Sequence, residues 1–401
     1  MGSVFGEGAL SAVEKLVCPV CMKVHEVEEG GGDCPVCGSH RAYNFKNSDD
    51  YLEEEAPRVR GERIRLGLDG LAGGLRCAVI NTEPDRLEPA AAELLARTGF
   101  TVSDSFRDSR FRTVVLSVEG SADLLLRCRL DGDSPFSEVR GGPKSARLPN
   151  TRLETFFFDT PDLDAYLEIQ RGRGVRFIDE EEVRAEGLKA AKTIPSSYTG
   201  LSVGLMQTDE GREGYRPDGA ADMPLDLRKP DLPFLGNIGE LDHTATRVRA
   251  EDRDAAIIEF MELTNYDFDF AIYVKVFNSI TNVARISDRD FAMVFTSGIR
   301  PDDGGDDVGP TQQFIRNYGT RVHHMALRTE EIQETWDSLV ERGQEFMIDL
   351  VGSPEEGLRQ TFSRPSPHTM LVTELIHRYG DFRGFFTRSN VTELTGATEG
   401  Q

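Results

Sequence analysis

The chain has 401 residues and a formal net charge of -23, from 46 Lys and Arg against 69 Asp and Glu. So acidic a surface repels nucleic acid and anionic membranes, and neither is an expected partner. No leading segment reads as a signal peptide and no apolar run has the length of a membrane span, so a soluble, cytoplasmic protein is expected. The length allows two or three domains with proper cores. The cations are mostly Arg, which suits a high-salt cytoplasm and a GC-rich genome equally.

Residues 1–48 carry four of the six cysteines. Cys18 and Cys21 form one CxxC turn, and Cys34 and Cys37 another, with Gly38 allowing the tight backbone of a knuckle. This spacing predicts a zinc ribbon with Zn(II) held by four thiolates. His25 and His40 flank the motif, but four thiolates already close the shell. A closed shell has no position for substrate, so the ribbon's expected role is structural, or contact with a protein partner. The acidic run over residues 49–64 reads as a linker.

A first globular segment is expected over 65–214. Leu75 to Ile80 reads as a strand, Glu83 to Arg97 as an amphipathic helix, and Thr113 to Val118 and Leu124 to Leu130 as strands. Strand Leu153 to Phe158, helix Asp162 to Arg171 and strand Val175 to Ile178 follow. A loop from Glu180 to Gly200 then leads to strand Leu201 to Met206. The Pro-rich stretch 215–235 is a connector.

Residues 236–401 repeat the plan. Leu241 to Thr246 is a strand, Asp252 to Thr264 a helix, and Ile272 to Phe277, Val283 to Ile286 and Phe291 to Thr296 are strands. After an acidic loop, Pro301 to Gly309, comes a strand bearing His323 and His324, two of only seven histidines. Helix Thr329 to Arg342 and strands Arg359 to Phe362 and Met370 to Ile376 close the segment. The two halves match at residue level: Phe156 to Leu163 with Met325 to Ile332, and Arg173 to Asp179 with Arg342 to Asp349. This matching sets Thr155 opposite His324, Cys77 opposite His243 and Gly204 opposite Glu374.

His243, His324 and Glu374 lie each on its own apolar strand of the second half. Two imidazoles and a carboxylate are what a facial triad for non-haem Fe(II) requires, with three positions left open. Strand alternation would point His323 away from His324, so the two are not expected to face one centre. A histidine taken alone is more often a hydrogen-bonded core residue than a ligand. Glu374 is different, because a carboxylate inside Met370 to Ile376 is costly to bury unpaired. It needs a metal or an arginine, and Arg378 is the arginine available.

The residues Asp242-His243, Val322 to Leu327, Gln360 to Pro365, Glu374 to Arg378 and Gly384-Phe385-Phe386 with Asn390 resemble the 4-hydroxyphenylpyruvate dioxygenase family. The likeness covers the second half well and the first half as a degenerate copy. It implies an α+β fold of two tandem vicinal-oxygen-chelate modules of βαβββ repeats, here preceded by the ribbon. It further implies Fe(II) on His243, His324 and Glu374, and substrate-facing roles for His323, Gln360, Phe362, Phe386 and Asn390. The implied reaction is oxidative decarboxylation of an aromatic 2-oxo acid by dioxygen, 4-hydroxyphenylpyruvate to homogentisate, in tyrosine catabolism. Modules of this fold often pair across chains, so a homo-oligomer is open. The run Ala292 to Pro301 departs from the family's Pro-x-Asn-Glu segment and pocket serine, which alters the polar groups that orient substrate. A 4-hydroxymandelate-forming or extradiol ring-cleaving dioxygenase fits the same triad, and a ligand-binding adaptor with a zinc ribbon is the non-enzymatic alternative.

Overall fold

The computed structural model describes residues 49–401, apart from 131–133, 138, 140, 213, 303, 306–307, 381 and 383. Before residue 49 it describes only the backbone of three short strands: β1 (Val13–Val17), β2 (Val24–Glu28) and β3 (Tyr43–Asn44), with β1 between the other two. Cys18, Cys21, Cys34 and Cys37, on which the zinc reading rests, lie outside the described residues.

The stretch read as an acidic linker is helix α1 (Asp50–Leu66). Leu52, Ala56, Val59 and Arg63 recur at helical spacing and are buried, so the acidic residues form only its outer face. The Arg63 guanidinium donates to the carbonyls of Met261, Thr264 and Tyr266 and pairs with Asp267, which docks α1 on the second half.

The first module runs β4 (Leu75–Asn81), α2 (Leu87–Arg97), β5 (Thr101–Arg107), β6 (Phe111–Ser117), β7 (Asp123–Arg129) and β8 (Arg152–Asp159). It continues with α3 (Leu163–Gly172), β9 (Val183–Ala185), β10 (Leu188–Lys192) and β11 (Ser202–Thr208). These strands pair in the order β5-β6-β7-β4-β8-β11-β10-β9, with the two-residue β12 (Ala221–Asp222) added beside β5.

The second module has β13 (Ile238–Arg247), α4 (Arg253–Leu263), β14 (Asp267–Val274), β15 (Ser279–Arg285), β16 (Ala292–Ser297) and α5 (Pro310–Tyr318). Then come β17 (Arg321–Thr329), α6 (Ile332–Glu341), β18 (Val351–Ser353), β19 (Leu358–Phe362), β20 (Val372–Arg378) and α7 (Arg388–Ala397). Its order, β14-β15-β16-β13-β17-β20-β19-β18, repeats the first position for position.

Some elements depart from the sequence reading. The expected loop 180–200 contains β9 and β10, while Val175 to Ile178 forms no strand and Phe177 makes only an isolated bridge with Thr193. The Ala- and Lys-rich β10 has little strand propensity of its own; pairing with β11 decides its conformation. Strand β5 and helices α5 and α7 were not expected.

The two modules share one core. Phe158 meets Phe260 and Tyr266 edge-on at 5.9 and 5.3 Å between ring centres, and the Tyr166 hydroxyl donates to the Leu263 carbonyl at 2.7 Å. Such packing seats α4 of the second module against β8 and α3 of the first. No helix of the described residues is long and apolar enough to cross a membrane.

Candidate metal centre

Three central strands of the second sheet carry the three candidate ligands. His243 on β13 is opposite Ala326 on β17, and Ala326 is opposite Glu374 on β20. His324 sits two residues before Ala326, on the same face. One nitrogen from each histidine and one Glu374 oxygen all lie within 4.8 Å of one another, and all three residues are buried. Both Nε2 atoms are 3.2 Å from Glu374 Oε2. Donors about 2.1 Å from a common ion and at right angles would be about 3 Å apart, so the spacing suits a shared cation.

The environment of Glu374 supports the same assignment. Arg378, the expected arginine partner, instead binds Asp242 through Nη1 at 2.5 Å and Nη2 at 3.0 Å. Glu374 Oε1 accepts from Gln360 Nε2 at 2.5 Å, and Gln360 Oε1 accepts from Asn390 Nδ2 at 3.0 Å. No lysine or arginine pairs with Glu374 among the described residues, so its Oε2 is left with the two imidazoles. His243 Nε2 is misaligned for a hydrogen bond and stands as a buried orphan. A buried carboxylate and an orphaned imidazole nitrogen aimed at one point are what a divalent cation would satisfy.

Behind His243, its Nδ1 faces Asp242 Oδ1 at 2.8 Å, an arrangement that fixes the ring with Nε2 toward the centre. Burial opposes ionisation of Asp242, but the His243 hydrogen bond and the Arg378 guanidinium overcome it and hold the carboxyl well below its usual range. Burial likewise opposes charge on His243, yet Glu374 and Asp242 outweigh it and raise the ring to about 9 without a cation. The direction of that shift reflects two carboxylates that favour positive charge at this point. His324 is pushed well below its ordinary value, by burial first and then by His323, His243 and Arg247.

The two adjacent histidines share a face after all. Ala245 pairs with His324 and Thr246 with Val322, so one step along β13 meets two along β17. His323 is the extra residue of a β-bulge, which turns its side chain inward. Its Nδ1 lies 2.8 Å from His324 Nδ1, and its Nε2 lies 2.8 Å from Gln401 Oε1. If His324 offers Nε2 to a metal, its Nδ1 carries the hydrogen and donates to His323, which then donates through Nε2 to Gln401. Burial, then Arg247, pushes His323 well below its usual value, so this ring is neutral.

A cavity of about 50 Å³ adjoins the ligands, lined among others by Arg247, Ser279, Thr296, His323, Phe362 and Phe386. Phe362 tilts against His324 at 4.7 Å, and Phe386 meets His243 edge-on at 5.2 Å. Gln360 and Asn390 reach Glu374 in a line, and Gln360 also lines the cavity, whereas Asn390 stands behind it. Residues that the sequence reading passed over are Arg378 as the partner of Asp242 and Arg247 in the cavity wall. The latter was detectable, since it follows His243 by four residues along a strand and so shares its face.

Among the described residues of the first module no such trio recurs, and the register shows why. Cys77 pairs with Phe157 and Phe157 with Gly204, the register in which His243, Ala326 and Glu374 stand in the second. A Cβ on Gly204 would meet the Phe157 ring at 2.4 Å, so a side chain there requires that ring to move. The same bulge recurs, with Glu154 as its extra residue between Val79–Thr155 and Ile80–Leu153. Glu154 binds Arg129 at 3.0 Å and Lys192 at 3.3 Å, and Lys192 binds Glu181 at 2.7 Å. Ion pairs and an aromatic ring occupy what is ligand space in the other copy.

No protein-family model matches the sequence, and no curated protein matches it. Among solved structures, a triple mutant of 4-hydroxymandelate synthase from Streptomyces coelicolor superposes with a TM-score of 0.60 at 17% identity, over 82% of this chain and 98% of that one. A xylose isomerase-like TIM barrel/4-hydroxyphenylpyruvate dioxygenase fusion protein superposes with a TM-score of 0.58 at 14% identity, over 85% of this chain and 57% of the fusion. At such identities the likeness is one of fold. With the repeated strand order and the matching registers, it gives the chain the fold of tandem vicinal-oxygen-chelate modules, and the candidate ligands lie in the second.

Proposed function

We propose that the chain is an Fe(II)-dependent dioxygenase that oxidatively decarboxylates an aromatic 2-oxo acid, with 4-hydroxyphenylpyruvate to homogentisate as the first reaction to test. The observation that carries this reading is the convergence of His243, His324 and Glu374 on one point, with Arg378 diverted to Asp242. Two nitrogens and one carboxylate favour Fe(II) with open positions over a closed zinc shell. Bound there, Fe(II) would supply the redox chemistry that couples decarboxylation of the oxo acid to reduction of dioxygen.

The chain's own residues have defined tasks in this scheme. Asp242 fixes the His243 ring, His323 accepts from His324, and Gln360 with Asn390 holds the Glu374 carboxylate. Phe362 and Phe386 present ring surfaces to a flat guest and keep water from the ligands. A cavity of about 50 Å³ has room for a few waters rather than an aryl group. Substrate entry therefore requires Phe386 and the neighbouring α7 residues Val391 and Leu394 to shift.

A second product has specific support. One structural neighbour is a 4-hydroxymandelate synthase, and the run Ala292 to Pro301 departs from the segment expected of the dioxygenase family. The test is an oxo-acid panel on anaerobically Fe(II)-loaded protein, read by oxygen consumption, CO2 release and product mass. Equal oxygen uptake and CO2 release supports oxidative decarboxylation, and chromatography against standards separates homogentisate from 4-hydroxymandelate, which are isomers of one mass. Oxygen uptake without CO2 would point to ring cleavage, and no uptake with any oxo acid would sink the enzymatic reading.

A further inference from the structure

Arg247 ends β13 four residues after His243, on the same face as His243 and Ala245. It is 4% exposed and lines the same cavity as His324 and Glu374. Its Nη1 donates to the Pro310 carbonyl and its Nη2 to Thr398 Oγ1, both at 2.9 Å, and the Phe314 ring lies 4.7 Å away. No carboxylate pairs with it among the described residues, and burial without such a partner pushes it down to about 9. The contact of Nη2 with His323 Nε2, at 3.4 Å, gives nothing once that nitrogen donates to Gln401, because two donors then face each other.

The wall beside Arg247 is rich in hydroxyls. Ser279, Thr281, Thr296 and Thr311 line the cavity there, and Thr296 Oγ1 is buried without a partner. Arg321 is also buried without a carboxylate and donates to the Thr151 carbonyl, but it does not line this cavity. Arg247 instead stands in the wall of the site, and both of its oxygen acceptors are neutral. His243 and Arg247 are four strand residues apart, about 13 Å along the backbone, and the shift of Phe386, Val391 and Leu394 that substrate entry requires would open room between the metal ligands and this positive end.

We infer that the substrate of this site carries two anionic groups: the 2-oxo acid at the metal end, and a carboxylate at the far end received by Arg247 and the hydroxyls beside it. The inference rests on the 2-oxo-acid reading of the site and changes the remote group from a neutral phenol to an anion. A buried guanidinium without a counter-ion is stabilised by the dianion and would reject a substrate that leaves it unpaired. Arg247 then sets specificity, and the metal end stays as proposed.

The experiment compares 4-carboxyphenylpyruvate, 4-hydroxyphenylpyruvate and phenylpyruvate on the full-length Fe(II)-loaded enzyme by oxygen uptake. It also measures anaerobic binding of 4-carboxyphenylpyruvate by calorimetry. The expected result is a kcat/KM for the carboxylate about a hundredfold above that for phenylpyruvate. That ratio should collapse toward one in Arg247→Met and recover in part in Arg247→Lys. If Arg247→Met does not fold, the wild-type ratio and the binding constant in Arg247→Lys still decide. A wild-type preference for either monoanion, or a ratio unmoved by Arg247 substitution, overturns the inference and leaves the oxygenase reading standing. Arg247-dependent binding without oxygen uptake from any of the three supports the anion subsite and counts against the oxygenase reading.

Discussion

The Nδ1 atoms of His323 and His324 lie 2.8 Å apart, so one ring must donate to the other. With His324 as a ligand through Nε2, the direction runs from His324 to His323. His323→Gln keeps an acceptor and should retain most of the iron affinity. His323→Leu leaves a buried N–H unpaired and should weaken iron binding about 10- to 100-fold. Anaerobic Fe(II) titration of both variants checks this; equal loss in the two would mean that His323 acts by packing alone.

Asp242 joins His243 to Arg378, and an amide cannot accept from both partners with both of its atoms. Asp242→Asn should therefore unpair Arg378 and release the His243 ring. A stability loss of about 3 kcal/mol is expected, with iron affinity falling about tenfold or more. Urea unfolding and iron dissociation measured on one preparation test the two effects together.

The ion network of the first module should matter for stability and not for metal. Lys192→Met leaves Glu154 and Glu181, both buried or nearly so, to share Arg129 alone, and should cost about 3 kcal/mol while iron content stays as in the wild type. Burial opposes ionisation of Glu181, but Lys192 and Arg129 outweigh it and lower its pKa. A depressed folded-state value means that this stabilisation is present above the unfolded pKa of about 4.3 and is lost as pH falls through the folded value. Glu181→Gln should flatten the acid side of the stability-against-pH curve, which urea midpoints between pH 3 and 7 would show.

The amino-terminal cysteines give a separate expectation. Cys34→Ser should lower bound zinc by one equivalent and leave iron at the other site, as metal analysis of the full chain would read. Simultaneous loss of both metals would contradict independent sites.

The tandem fold was legible because residues of one type recur at matching places in both halves, from Phe156 with Met325 to Arg173 with Arg342. The candidate ligands were legible because two histidines and a glutamate each lie on a strand of mostly buried residues in the second half. The inward turn of His323 was not, since a bulge is a property of how two strands pair and a single strand reads as strict alternation. Helix α1 was misread through its acidic outer face, although Leu52, Ala56, Val59 and Arg63 held the helical period. Strand β10 gave no signal because its partner, not its composition, makes it a strand. The pairing of Arg378 with Asp242 depends on β20 and β13 lying on either side of β17, which local sequence does not express.

Whether residues 243, 324 and 374 hold one iron with room for a guest is read most directly by electron paramagnetic resonance of the anaerobic Fe(II) protein exposed to nitric oxide. The expected result is a high-spin nitrosyl signal that changes shape on adding a 2-oxo acid, persists in Thr155→Ala and is absent in His243→Ala, His324→Ala and Glu374→Ala. A signal that survives loss of any of these three ligands, or one indifferent to the oxo acid, would contradict the account.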